Sequence, residues 1–310
     1  MRIAIIDLGT NTFNLLIAEI NEKGLFKKIH SDRIPVKLGE GSINQGYISE
    51  IPFKRGLDAI KIYHQKIIEL NVIRVKALAT SAIRSSSNGN LFAEQIKSLT
   101  GIEIEIIDGE REAELIFTGA TYADAERTEN ALIMDIGGGS TEFIIVKENN
   151  LIWKKSYPLG AARLLQQFQP EDPISNSTLT KINDYLSHSL TDLIDQLKIH
   201  QPKTLVGTSG AFDSFVDMLA ALHGEKGIHE NSVTYEINLD HFNSLHEKII
   251  RSTQAQRKEM KGLIPMRVDM IVISFLLAKF ILTNSQFNHF FCCTYSLKEG
   301  ALVESIKNCN

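Results

Sequence analysis

Two short stretches of this 310-residue chain carry side chains that could work together around an anion. Ile5–Ala18 reads IIDLGTNTFNLLIA, and Ile133–Val146 reads IMDIGGGSTEFIIV. They align without a gap, placing Asp7 on Asp135, Gly9 on Gly137, Thr12 on Ser140 and Asn14 on Glu142. A glycine-bearing turn lets backbone approach a ligand closely and reach φ > 0 without Cβ strain. Successive N–H groups in such a turn form an anion-binding nest. Thr10, Asn11, Thr12, Ser140 and Thr141 add side-chain donors suited to phosphate oxygens. Asp7, Asp135 and Glu142 would repel a bare phosphate. Their placement makes sense with a divalent cation between them, most simply Mg²⁺, which takes one or two carboxylates together with phosphate oxygens and water. Taken singly, each stretch reads as a glycine-rich hairpin turn, but the shared register of both argues against that. A third loop, VGTSGAF at Val206–Phe212, follows a strand and opens a helix. Its Gly207, Thr208, Ser209 and Gly210 would sit where helix N–H groups are free and the dipole is positive.

The elements needed to hold these loops are legible as a pattern that occurs twice. Strand, turn, strand and a further strand near 26–33 are followed by helical periodicity over 53–70, a strand over 75–79, a helix over 90–99, a strand over 103–107 and a helix over 109–122. The second half restarts with strands over 131–135, 142–147 and 151–157, helices around 159–168 and 179–197, and a strand over 204–206. The remainder reads as mostly helical, with a break near 224–231. The repeat predicts two related α/β domains, 1–124 and 125–300, with a cleft between them and a final helix of about 301–310 packing back on the first. Small ligands bind in such clefts.

Composition narrows the function classes. Hydrophobic residues at 43% and charged residues at 23% describe an ordinary soluble protein with enough apolar surface for its cores. A net charge of −4 gives no electrostatic case for nucleic acid or an anionic membrane, so any polyanion must be attracted by a local site. Three cysteines, without a Cys-x-x-Cys, indicate neither a disulfide framework nor a zinc site and fit a reducing cytoplasm. The nine histidines fall in no zinc spacing. The apolar run 270–282 is too short for a bilayer and reads as a buried helix.

Seven motifs carry a resemblance that covers nearly the whole chain: DLGTNT, ATSAIR at Ala79–Arg84, GEREAELIFTG at Gly109–Gly119, DIGGGSTE, PLGAARL at Pro158–Leu164, GTSG at Gly207–Gly210, and LKEG at Leu297–Gly300. In this order they resemble the exopolyphosphatase/guanosine pentaphosphatase family of the actin, sugar kinase and Hsp70 ATPase superfamily. The resemblance implies two actin-like, ribonuclease H-like domains, each a mixed sheet with flanking helices around an active-site cleft. It implies Glu112 as general base, with Asp135 and Glu142 catalytic and, together with Asp7, metal-holding. Without it, Glu110, Glu112 and Glu114 read as a solvated acidic helix face. It further implies phosphate contacts from Thr10, Asn11, Thr12, Gly137, Gly138, Gly139, Ser140, Thr141 and the third loop. Cations along the polyanion would be Arg84, Lys37, Arg267 and Lys298. Arg163 and Arg267 match family arginines and read equally well as structural ion-pair partners. Lys37 and Lys298 stand where the family usually has arginine, and lysine lacks the bidentate fork. Arg111 replaces a commonly acidic neighbour of the base, and Asn14 stands where relatives often carry a basic side chain. Ile273 and Ser274 replace a small glycine pair, which crowds a purine and favours inorganic polyphosphate over guanosine pentaphosphate. The expected activity is Mg²⁺-dependent release of terminal orthophosphate. The alternatives are guanosine pentaphosphate 5′-phosphohydrolase and a non-catalytic polyphosphate or nucleotide sensor. A homodimer is compatible with the sequence.

Overall fold

The computed structural model describes residues 1–22, 24–225, 227–229 and 232–307. Part of the 224–231 break, Cys309 and the end of the expected 301–310 helix lie outside the described residues. The chain opens with β1 (Arg2–Leu8), β2 (Thr12–Ile20) and β3 (Phe26–Pro35), an antiparallel meander. Next come α1 (Glu50–Glu69), β4 (Arg74–Ala79), the single turn α2 (Ser81–Arg84), α3 (Gly89–Thr100), β5 (Ile104–Ile106) and α4 (Gly109–Ala123). A short α5 (Ala125–Thr128) leads into β6 (Asn130–Ile136), β7 (Thr141–Lys147) and β8 (Asn150–Tyr157), again antiparallel. Then follow α6 (Ala161–Phe168), α7 (Asn176–Ser189), α8 (Thr191–His200), β9 (Thr204–Thr208) and α9 (Ser209–His223). The chain ends with β10 (Thr234–Glu236), α10 (Leu239–Ile250), α11 (Gln254–Lys258), α12 (Ile271–Asn284), β11 (His289–Cys293) and α13 (Leu297–Lys307).

The first sheet has the order β3-β2-β1-β4-β5; the second runs β8-β7-β6-β9-β11, with β10 added at its edge. Strand directions match position for position: β1 pairs parallel with β4 and β4 with β5, as β6 does with β9 and β9 with β11. The repeat seen in two loops therefore extends through both sheets, giving the expected two mixed α/β halves.

Two expectations needed correction. The tail is mostly helical as expected, α9 to α13, but it also contributes β10 and β11, and β11 pairs with β9 inside the second sheet. Its five-residue run HFFCC is too short for periodicity to tell strand from buried helix. The helix expected over 179–197 is two, α7 and α8, divided at Leu190.

Alternation along the strands explains the continuous apolar runs, because both faces are buried. In β1, Ala4, Ile6 and Leu8 pack outward with residues of α1 and α3 such as Ile60 and Phe92. Ile3 and Ile5 face inward, as do Ala131 and Ile133 of β6, into one core shared with α4 and α13. Leu132 and Met134 pack on the far side with α9, α10 and α12. The α12 segment is buried along most of its length, as expected for the 270–282 run. Among the described residues no helix is long and apolar enough to cross a membrane.

The α4–α13 crossing is tight because it is made at glycines. A Cβ on Gly119 would strike the carbonyl of Ser296, and one on Gly300 would strike that of Leu115. These two helices fill the space between the sheets, so side chains on either are held against both halves.

Candidate active site

The two aligned turns lie at the same end of their strands, and their glycines serve the same purpose. A Cβ on Gly9 would come within 2.8 Å of the Thr12 carbonyl oxygen, and one on Gly137 within 2.9 Å of that of Ser140. Each turn therefore closes on itself too tightly for a side chain. The expected φ > 0 is not the reason: Gly9, Gly137, Gly138, Gly139, Gly207 and Gly210 are absent from the left-handed glycines, whereas Ser209 adopts φ 68°. Across the cleft the turns touch. Gly138 packs on the Asn11 amide and Thr10, and Gly139 on the hydroxyls of Ser81 and Thr10, so a methyl at either would collide. Gly160, in PLGAARL, backs directly onto Gly138.

Cross-strand register sets the acids. Asp7 pairs with Asn14 and Asp135 with Glu142, two equivalent places in the repeat. Asn14 Nδ2 donates to Asp7 Oδ2 at 2.9 Å. Thr208 Oγ1 donates to Asp135 Oδ2 at 2.7 Å, and Ser296 Oγ donates to the same oxygen. Ser156, opposite Glu142 on β8, donates to Glu142 Oε1 at 2.6 Å. Asp108 caps α4, accepting from Arg111 N at 2.7 Å, and this fixes the turn that carries Glu112. Gly109 lies so close to Ser156 that no side chain fits, which presses that end of α4 against the Glu142 strand pair. Arg84 Nη1 donates to Glu112 Oε2 and to the Ile107 carbonyl, both at 2.9 Å.

Four carboxylates thus share one poorly solvated region. Glu112 is 8% exposed, Asp135 7% and Glu142 1%. Burial, then the charge of Asp135, pushes Glu142 from 4.5 up to about 7. Burial lifts Asp7 to about 6, with Asp135 and Glu299 adding to the effect while Asn14 and Lys298 oppose it. Glu112 is raised well above its ordinary value by burial and by Glu142, with Arg84 pulling it back. Asp135 is raised by burial, against the hydroxyls of Ser296 and Thr208. Such a donor set suits a hard divalent cation, which would relieve both the desolvation and the mutual repulsion. Among the described residues, however, no three His, Cys, Asp or Glu side chains converge as a ready ligand set. Asp7, Asp135 and Glu142 are neighbours, not a closed triad.

Three of the four cations expected along a polyanion, Arg84, Lys37 and Lys298, are already engaged with acids. Besides Arg84, Lys298 Nζ lies 3.0 Å from Glu299 and also lowers the proton affinity of Asp7 and Asp135. Lys37 lies 3.5 Å from Asp269 across the cleft, and Arg33 lies 3.5 Å from Asp213. Arg267 lies over Gly210, leaving no room for a Cβ there, and its buried Nε has no hydrogen-bond partner among the described residues. Thr141 and Ser209 donate to the carbonyls of Leu159 and Ile136, which stabilises the loops rather than leaving those hydroxyls free. Gly207 is a packing position under the Phe212 ring. Thr12 is half-buried at the start of β2.

Arg163 ties the halves together. Its Nε donates to the Gly139 carbonyl at 2.9 Å, and its Nη1 to the Ile43 carbonyl at 3.2 Å. Arg111 turns away from Glu112, pairing with Glu114 at 3.2 Å and with Glu304 of α13. Ser156 and Ser296 were missed from sequence. The first was accessible from strand register opposite Glu142, whereas the second has no local signal.

The sequence model of the Ppx/GppA phosphatase family matches residues 16–309. Exopolyphosphatase 1 of Mycobacterium tuberculosis is 25% identical, over 99% of this chain and 88% of that protein. The bifunctional 3-dehydroquinate synthase/phosphatase of Fusobacterium nucleatum is 31% identical over 98% of this chain, which spans 46% of that longer protein. The crystal structure of an exopolyphosphatase from Cytophaga hutchinsonii superposes with a TM-score of 0.96 at 37% identity, covering 99% of this chain and 98% of the other. With the doubled sheet, the paired turns and the buried acids already in place, these likenesses agree: the chain belongs to the Ppx/GppA phosphatase family.

Proposed function

We propose that this chain is an exopolyphosphatase that hydrolyses the terminal phosphoanhydride of inorganic polyphosphate and releases orthophosphate. The observation that carries the proposal is Glu112, a buried carboxylate paired to Arg84 beside Asp7, Asp135 and Glu142 between two glycine turns. Phosphoryl transfer requires a positioned water, a group to take its proton and donors for the phosphate oxygens. Glu112 would orient and deprotonate the water, with a proton affinity raised well above its ordinary value by burial and by Glu142. Arg84 opposes that rise through its charge and its hydrogen bond to Glu112. Backbone N–H groups of Gly138 and Gly139, and the hydroxyls of Ser140, Thr10 and Thr12, supply donors for the phosphate, whereas the Gly137 N–H is given to the Ser140 carbonyl at 3.0 Å and closes the turn. Asp7, Asp135 and Glu142 would hold Mg²⁺, which when bound screens charge on the phosphate oxygens. One or two of these acids would ligate it directly, with water and phosphate completing its shell.

Domains 1–124 and 125–300 would open for substrate. The cross-cleft contacts of Arg163, Lys37 and Arg33 would part, freeing the two basic residues on the first half for the chain of phosphates. Phosphate release from long-chain polyphosphate, tripolyphosphate and guanosine pentaphosphate, with Mg²⁺ and with EDTA, tests the proposal. Polyphosphate should be the preferred substrate, and Glu112→Gln should lower kcat by about 10²–10⁴ with little change in KM. Near wild-type turnover in Glu112→Gln would overturn the base. Faster release from guanosine pentaphosphate would establish the alternative substrate, and tight binding of either without release would make the chain a sensor.

A further inference from the structure

Two ion pairs join the halves across the cleft, and their cations and acids are held in different ways. Cross-strand register places Arg33 opposite Asn14 and Asn14 opposite Asp7, so the three side chains share one face of the first sheet. Asn14 is spent on Asp7, which leaves Arg33 as the next group outward, two inter-strand spacings or about 10 Å from that acid. Lys37 follows β3 with φ 47°, a left-handed conformation that a lysine seldom adopts. Its backbone is pinned from two sides. The Lys37 N–H donates to the Asn11 carbonyl of the first turn at 2.8 Å, and Arg55 Nη2 donates to the Lys37 carbonyl at 3.1 Å. A residue fixed in that region points to a use for its position. Both side chains are presented to the second half while staying more than one-third exposed, 39% for Arg33 and 38% for Lys37.

The acids they meet have support from their own half. Gln254 Nε2 donates to Asp269 Oδ1 at 2.7 Å, which leaves Oδ2 for Lys37 at 3.5 Å. Gln254 is itself fixed, its N–H given to Asp172. Asp213 lies one turn beyond Gly210 on α9 and interacts with the charge of Arg267, whose guanidinium packs over that glycine. Neither acid is stranded when its cross-cleft partner departs. Among the described residues, neither Arg33 nor Lys37 has a second carboxylate within ion-pairing distance. Pairs this long and this exposed are weak, so a phosphate chain can exchange with them.

We propose that Asp213 and Asp269 make the cleft select polyanions by length, by competing with the substrate for Arg33 and Lys37. Without substrate each acid neutralises one cation. A chain whose end group sits at the buried acids must extend outward before it meets Arg33, and it must displace both carboxylates to use both cations. Successive phosphates are covalently tied, so a long chain that has reached one cation has further phosphates at hand for the other. Tripolyphosphate has only two phosphates beyond the scissile one and leaves at least one pair closed. This inference rests on the exopolyphosphatase reading, which sets where the scissile end lies.

Calorimetric titration of the full chain carrying Glu112→Gln, which binds its ligand without consuming it, with long-chain polyphosphate and with tripolyphosphate in Mg²⁺ tests the competition. In that parent, Asp213→Asn and Asp269→Asn should each tighten the long chain about two- to fivefold, the worth of a half-exposed ion pair, and leave tripolyphosphate within about twofold. Arg33→Met and Lys37→Met should weaken the long chain by a similar factor and again spare tripolyphosphate. Asp213→Glu and Asp269→Glu, which keep the charge, should hold the parent's ratio of affinities and so separate charge from fold. Added KCl should shrink every one of these differences. Equal tightening of both chains by the asparagine variants, or a ratio unmoved in all of them, would overturn selection by length. If the parent bound neither chain and the wild type released no phosphate, the exopolyphosphatase reading itself would fall.

Discussion

Glu142→Gln should stabilise the metal-free protein while abolishing its turnover. Glu142 is 1% exposed, and its carboxyl is lifted from 4.5 to about 7 by burial and by Asp135. A carboxyl with a raised folded pKa holds its proton more tightly in the fold than in the unfolded chain. Its contribution is therefore neutral at low pH and grows unfavourable as pH rises from the unfolded value through the folded one. At about 1.4 kcal/mol per pH unit, the ionised group destabilises the fold by about 3 kcal/mol once pH exceeds 7. Glutamine keeps an oxygen for Ser156, whose hydroxyl lies 2.6 Å from Glu142 Oε1, and removes the charge. The variant should melt roughly 5 °C above wild type at pH 8 in EDTA, and level with it at pH 4. Excess Mg²⁺ should narrow the gap at pH 8 by stabilising wild type, because cations bind the fold in preference to the unfolded chain. Circular dichroism melts at both pH values, with phosphate release alongside, measure each quantity. A variant that melts at or below wild type at pH 8 would refute the claim that the acids are held against their own repulsion.

Arg84→Met removes the charge that holds down the proton affinity of Glu112. The acid limb of the kcat/KM profile should move up by about one pH unit or more, and Arg84→Lys should move it less. An unmoved limb would place Arg84 outside the control of the base. Gly300→Ala drives a methyl into the Leu115 carbonyl where α13 crosses α4, and should destabilise by about 2–3 kcal/mol in thermal unfolding. A neutral result would mean the two helices can separate without loss.

The aligned turns and the strands around them were legible because both are local. A short apolar run, broken by glycine and a carboxylate, survives in the sequence whatever packs around it. Duplication made the signal stronger, since Asp7 and Asp135 each vouch for the other. By register, Ser156 was nearly legible as well. The fifth strand of the second sheet was not, because HFFCC satisfies a buried helix and a buried strand equally until β9 is beside it.

What tertiary structure alone decided is the electrostatics of the site and the use of its cations. Composition supplied acids and bases without saying which would be dry. The stacking of both sheets on α4 and α13 buries Glu112, Asp135 and Glu142, and desolvation then raises their proton affinities. Ser296 reaches Asp135 from 161 positions away, a contact no pattern in the chain announces. Arg84, Lys37 and Lys298 looked free for phosphate as isolated letters, yet in the closed fold each meets an acid supplied by a distant or adjacent element. The sequence by itself determined which groups could do the chemistry. Folding determined their protonation and their partners, because both depend on what lies within a few ångströms rather than on neighbours along the chain.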